Sequence, residues 1–138
     1  MNKTYHLFLS HSWTYHGAYS GLVGLLNGAP TFSYANYSVP KDDPIHTRGT
    51  DKALHEAIKR HISPCHCVLI LAGVYSSYSK WINKEIIICT REFANKKPIV
   101  AIEPWGAERT SSIVKQNADR IVRWQTSSII QAIREVSI

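Results

Sequence analysis

No apolar run in this sequence approaches the ~20 residues that a membrane-spanning helix needs. The stretch Val68-Leu69-Ile70-Leu71-Ala72 is the strongest candidate and is far too short. The amino terminus, Met1 to His6, leads into only Leu7-Phe8-Leu9, which does not read as a signal peptide. Cysteine is scarce and odd in number; three residues make no disulfide framework and fit a reducing cytoplasm. There is no Walker loop and no Gly-x-Gly-x-x-Gly. Gly21 and Gly24 fall inside a helical pattern and are expected to be packing positions. The net charge is +6, which favours anionic partners. Yet Lys and Arg are spread along the chain without a dense basic run, so nucleic acid is not an expected partner and small phosphorylated ligands remain open.

Metal-ligand patterns are equally incomplete. Cys65-His66-Cys67 has no second cysteine pair to complete a tetrahedral set, and neighbouring side chains on a strand point to opposite faces. His55-Glu56 with His61 lacks the four-residue histidine spacing of a zinc protease helix. No metal is expected.

What is present is an ordinary globular composition, 44% hydrophobic and 19% charged over 138 residues. It is read as one domain spanning 1–138, with no internal repeat. Strand-like and helix-like segments alternate. Tyr5 to Ser10 reads as a first strand, and a helix with Leu22, Val23 and Leu26 on one face follows. Thr31 to Asn36 reads as a weaker strand near an edge, and Ser38 to Pro44 as a loop broken by two prolines. Thr50 would cap a helix carrying Leu54, Ala57, Ile58 and Ile62. Val68 to Ala72 is wholly aliphatic and closed by Gly73, as befits a strand buried on both faces. A helix capped at Ser79, a strand at Pro98 to Glu103, a short helix at Ile113 to Asn117, a strand at Arg120 to Trp124 and a helix from Ser127 complete the chain. This alternation predicts an α/β fold with a five-stranded parallel sheet in the flavodoxin-like order 2-1-3-4-5. In that order a ligand crevice opens beyond strands 1 and 3, at Ser10-His11-Ser12 and Gly73-Val74-Tyr75. A phospho-acceptor receiver shares the topology but needs clustered carboxylates there, and this chain has Ser-His-Ser and Gly.

The helix after Ser79 carries the chemistry. Ile82, Ile86, Cys89 and Phe93 recur at core-facing spacing. Trp81 and Glu85 are four apart, one above the other. At about 100° per residue Glu85 lies roughly 70° from the centre of that stripe, half-sheltered at its edge. On the pattern alone, Glu85 reads more simply as a surface carboxylate, Trp81 as packing and His11 as a turn cap.

Several motifs together carry a resemblance. Phe8-Leu9-Ser10-His11-Ser12 resembles the opening box of TIR and TIR-like domains. Ser79-Lys80-Trp81-Ile82-Asn83-Lys84-Glu85-Ile86 resembles the Trp-x-x-x-Glu helix of NAD-cleaving TIR domains. Lys97-Pro98-Ile99-Val100-Ala101-Ile102 is similar to their fourth strand. With Tyr37 to Pro44, the chain looks closest to the TIR-like proteins of bacterial Thoeris anti-phage defence. The resemblance implies cleavage of the nicotinamide–ribose bond of NAD, as substrate rather than cofactor, with a cyclic ADP-ribose-type product. That product would be a diffusible messenger to a separate effector. Glu85 matches the catalytic glutamate, Trp81 the aromatic before it, and Ser10, His11 and Ser12 the substrate-binding first loop. Self-assembly would involve Lys41 to Pro44 and give a homo-oligomer. The Arg that follows the first box in many TIR domains is missing, so no residue is assigned to the diphosphate. Two other readings stay open: a non-enzymatic TIR-type adaptor acting by self-association, and a nucleoside deoxyribosyltransferase-like enzyme, which also sets a carboxylate at an N-glycosidic bond.

Overall fold

The computed structural model describes residues 4–10, 18–37, 51–71, 79–103 and 112–137, with the backbone alone for 18–19, 51, 71, 79–82 and 112–113. The elements run β1 (Thr4–Leu9), α1 (Ala18–Asn27), β2 (Ser33–Asn36), α2 (Asp51–Ile62), β3 (Cys67–Leu71), α3 (Ser79–Arg91), β4 (Ile99–Glu103), α4 (Ser112–Asn117), β5 (Arg120–Arg123) and α5 (Thr126–Val136). The five strands pair in parallel in the order β2-β1-β3-β4-β5. This is the flavodoxin-like α/β arrangement that the alternating pattern predicts. The loop expected at Ser38 to Pro44 and the capping role of Thr50 lie outside the described residues.

The aliphatic runs of the inner strands explain the layering. Successive side chains on a strand point to opposite faces, so a strand apolar at every position needs cover on both. Phe8, Val68, Ile70, Ile99 and Ala101 pack on one side with residues of α2, α3 and α4. Leu7, Leu9, Leu69, Val100 and Ile102 pack on the other with residues of α1 and α5. The edge strands differ, as their sequences require. β2 is half-exposed, and β5 exposes Arg120, Ile121 and Arg123, where charge discourages pairing with a further strand.

Two charged side chains fix the start of β4, and with it the far end of α3. The Asp119 carboxylate accepts from the Ile99 N–H at 2.8 Å and from Lys96 Nζ at 2.7 and 2.9 Å. Lys97 is only 9% exposed. Its Nζ donates to the carbonyls of Ser63 and Cys65 at 2.8 and 2.9 Å and lies 5.1 Å from the Phe93 ring centre. A cation just beyond the end of α2 also suits the negative end of the helix dipole.

The topology matters for function at one place. β1 feeds α1 on one face, whereas its neighbour β3 feeds α3 on the other. Chains leaving adjacent strands in opposite directions open a crevice at the strands' carboxyl ends.

One expectation about packing needs correction. A Cβ on Gly21 would come within 3.0 Å of Trp124 Cζ2, so that glycine does permit close approach. A Cβ on Gly24 would meet nothing within 4 Å among the described residues, so Gly24 makes no close approach there. Alanine favours the helix over glycine by about 1 kcal/mol. Gly24→Ala is therefore expected to raise stability by up to about that amount in urea denaturation. Gly21→Ala is expected to forfeit the gain, because the Trp124 ring must shift.

Candidate functional site

Ser10 is the first residue beyond β1. Its backbone N–H donates to the Leu69 carbonyl at 2.9 Å, extending the β1–β3 ladder by one step. The residue is thereby placed at the carboxyl end of the sheet, beside the crevice. Strand alternation puts its side chain on the same face as Phe8, the face that α3 covers. There its hydroxyl donates to Glu85 Oε1 at 2.9 Å.

Both partners are buried, Ser10 at 1% exposure and Glu85 at 0%. This overturns the simpler sequence reading of Glu85 as a surface carboxylate, and also its placement at a half-sheltered helix edge. The reason lies in the phase of α3. Its described buried residues are Glu85, Ile86, Ile88 and Cys89, while Ile87 is 41% exposed. At about 100° per residue these span roughly 160°, with Cys89 near the middle. A stripe drawn through Ile82, Ile86, Cys89 and Phe93 omits Ile88 and sits too far round the helix. Ile88 is drawn in because α3 packs against α2 and α4 as well as the sheet. Phe93 lies beyond the helix end and is only partly buried.

The other predicted site residues are placed less fully. Trp81 lies on α3 one turn before Glu85, but its side chain lies outside the described residues. His11 and Ser12 also lie outside them, as do Lys41 to Pro44. Of the five predicted site residues, Ser10 and Glu85 are the pair seen in contact.

Cys89, read from the sequence as a small core hydrophobe, turns out to neighbour the acid. Burial pushes its thiol pKa up, and the Glu85 carboxylate pushes it further in the same direction. Burial likewise raises Cys67. It pushes Cys65 up to about 12, against the opposing pull of Lys97. The Cys65-His66-Cys67 run does not converge on one point. Cys65 packs on the α2 side of the sheet and Cys67 on the α1 side. His66 Nδ1 accepts from the His6 N–H at 3.0 Å. His55 pairs with Glu92, and His61 Nδ1 meets the Tyr37 carbonyl at 2.7 Å. Among the described residues no three potential ligands gather to hold a metal.

A carboxylate in this setting is chemically potent. Taking an ionised carboxylate out of water costs several kcal/mol, as an order of magnitude, unless polar partners offset it. A donated hydroxyl supplies part of that offset. In so dry a place, any cation brought near the carboxylate interacts with it far more strongly than it would in water.

The sequence matches the family described as Thoeris protein ThsB, TIR-like domain, over residues 8–109. That stretch covers most of the chain and contains both Ser10 and Glu85. The chain belongs to this family. Membership in the Thoeris ThsB TIR-like family makes it a TIR-type protein of anti-phage defence. No curated protein gives a significant match. Among the described residues no helix is long and apolar enough to cross a membrane.

The three cysteines give a test of this buried environment. A raised pKa keeps each group as the unreactive thiol, so the nucleophilic thiolate is missing below pH 9 and well above it. Native protein is expected to resist alkylation at pH 8 to 10, whereas unfolded protein reacts at all three positions. Mass spectrometry of iodoacetamide-treated samples measures this directly.

Proposed function

We propose that the protein cleaves the nicotinamide–ribose bond of NAD and that Glu85 is its catalytic carboxylate. The supporting observation is the Ser10–Glu85 contact at 2.9 Å, fully buried and placed where the strand order reverses. Family membership supplies the substrate class by analogy, because NAD-cleaving TIR domains carry a glutamate in the same motif.

The chemistry suits that residue. When nicotinamide departs it takes the bonding electron pair, and positive charge spreads over the ribose C1′ and ring oxygen. An ionised carboxylate beside that oxocarbenium-like centre lowers its energy. Water can then attack C1′ to give ADP-ribose, losing a proton. If instead an adenine nitrogen reaches C1′ first, the product is a cyclic ADP-ribose. Cyclisation needs a pocket that folds the dinucleotide and keeps water out, which a carboxylate at 0% exposure is suited to. The same burial means that NAD reaches the acid only as its cover gives way, a step that gates many enzymes. We assign the cyclic product the role of a diffusible messenger to a separate effector. The reaction is placed in the cytoplasm, in a protein assembled from copies of itself.

One observation also favours a non-enzymatic adaptor. A buried Ser–Glu pair joining a strand end to a helix is equally what a purely structural contact looks like. The two readings part over turnover. Chromatography with mass spectrometry of NAD incubated with the protein, with and without extract from phage-infected cells, is expected to reveal nicotinamide release. Glu85→Gln is expected to lower that release by at least about 100-fold. No release by the wild type, with or without that extract, would favour the adaptor, and equal release by wild type and variant would remove Glu85 as the catalytic carboxylate.

A further inference from the structure

We propose that the outward face of α3 is a docking surface for an acidic helical segment of another protein, one that sets two carboxylates around an apolar side chain. The phase of the helix defines the face. Lys84, Ile87 and Arg91 recur at i, i+3 and i+7, which at about 100° per residue keeps them within an arc of roughly 100°. Ile87 stands near the middle of that arc, almost opposite the buried Cys89. Position 80, a lysine, falls on the same line of the helix backbone. Ile87 is 41% exposed, Arg91 is exposed and Lys84 is half-buried. A lone exposed isoleucine is ordinary on a protein surface. This one differs because a cation stands on each side of it. Among the described residues neither cation has an ion-pair or hydrogen-bond partner.

The chemistry of the face selects its occupant. Among the described residues the chain brings no acid of its own to these cations. Glu85, the acid of α3, is buried on the sheet side. Glu92, just beyond the helix, is held by His55 and Lys59 of α2. α4 packs beside α3, has no acidic residue and exposes Lys115. A second copy of the chain is a poor match, because it would set like charges together and each copy carries +6. A membrane surface takes a helix with a broad apolar face, which a single isoleucine does not provide. Nucleic acid would engage the cations and leave Ile87 uncovered. A carboxylate-bearing helix uses all three side chains. Lys84 and Arg91 stand about 10 Å apart along the axis, the separation of residues seven apart on any α-helix. Carboxylates at such positions meet both cations, while an apolar side chain between them covers Ile87. The surface is independent of whether the protein cleaves NAD.

Binding of synthetic helical peptides to the whole protein tests this. The acidic peptide carries glutamates seven positions apart with leucine between them. One control replaces those glutamates with glutamine, and a second keeps the composition in scrambled order. In fluorescence anisotropy the acidic peptide is expected to bind, and in NMR of the isotope-labelled protein to shift the amides of Lys84, Ile87 and Arg91. Each control is expected to bind at least about fivefold more weakly. Lys84→Glu and Arg91→Glu are each expected to weaken the acidic peptide about five- to tenfold. The doubly substituted protein is expected to bind instead a peptide with lysines in place of the glutamates, which shows that it still folds. Arg60→Glu, at an exposed position of α2, is expected to change affinity less than about twofold. Absence of binding by the acidic peptide overturns the proposal. Equal binding of the scrambled peptide, or an equal loss in Arg60→Glu, would reveal general charge attraction and also overturns it. So does binding to phosphatidylserine vesicles or a DNA duplex that exceeds peptide binding and is lost in the same variants. Self-association that Ile87→Ser abolishes would make a second copy the occupant and likewise overturns it.

Discussion

A carboxylate shut away from water must be held by the protein itself, and the rest of this molecule is arranged around that requirement. Ser10 supplies the hydroxyl, β1 and β3 supply the fixed point from which it reaches, and α3 brings Glu85 to it. None of these works without the others. A serine on a free loop would not be confined to one direction. A glutamate two positions along α3, at the place of Ile87, would face out rather than toward the sheet. The hydrogen bond is thus the meeting point of a strand end and a helix phase, each set by packing elsewhere.

That packing is carried by the two apolar layers. Ile88 and Cys89 seat α3 on the sheet, and the apolar face of α2 flanks it. The far end is tied down near the base of the sheet, where the Lys97 N–H donates to the Cys89 carbonyl and its ammonium group joins the end of α2. The rotation of the helix is therefore determined along its length rather than at the acid itself. Sheet order does the remaining work, because the chains leaving the neighbours β1 and β3 go to opposite faces and leave a crevice between them.

Most of the architecture was legible in the sequence, because inner parallel strands announce themselves as short unbroken aliphatic runs. Cys67 to Leu71 and Ile99 to Glu103 sit within a residue or two of where their composition puts them. The order of strands followed from alternation with helices. Glu85 could be singled out by its motif but not by its burial. A helix packed on three sides buries more than one stripe, and the second and third contacts of α3 come from segments distant in sequence. The partnership of Ser10 with Glu85 spans 75 positions and left no local signal. Gly24 shows the converse error, a helical glycine credited with a contact that none of the described side chains makes.

The family likeness ends at residue 109, whereas the apolar layer beneath α1 continues beyond it. Ile129 and Ile133 of α5 close over Val100 and Ile102, and Trp124 lies against Gly21 at the other end of the chain. A fragment cut where the likeness stops would carry both members of the buried pair yet leave half of one layer bare to solvent. The segment by which this protein is recognised and the segment that must fold as a unit are different lengths of polypeptide.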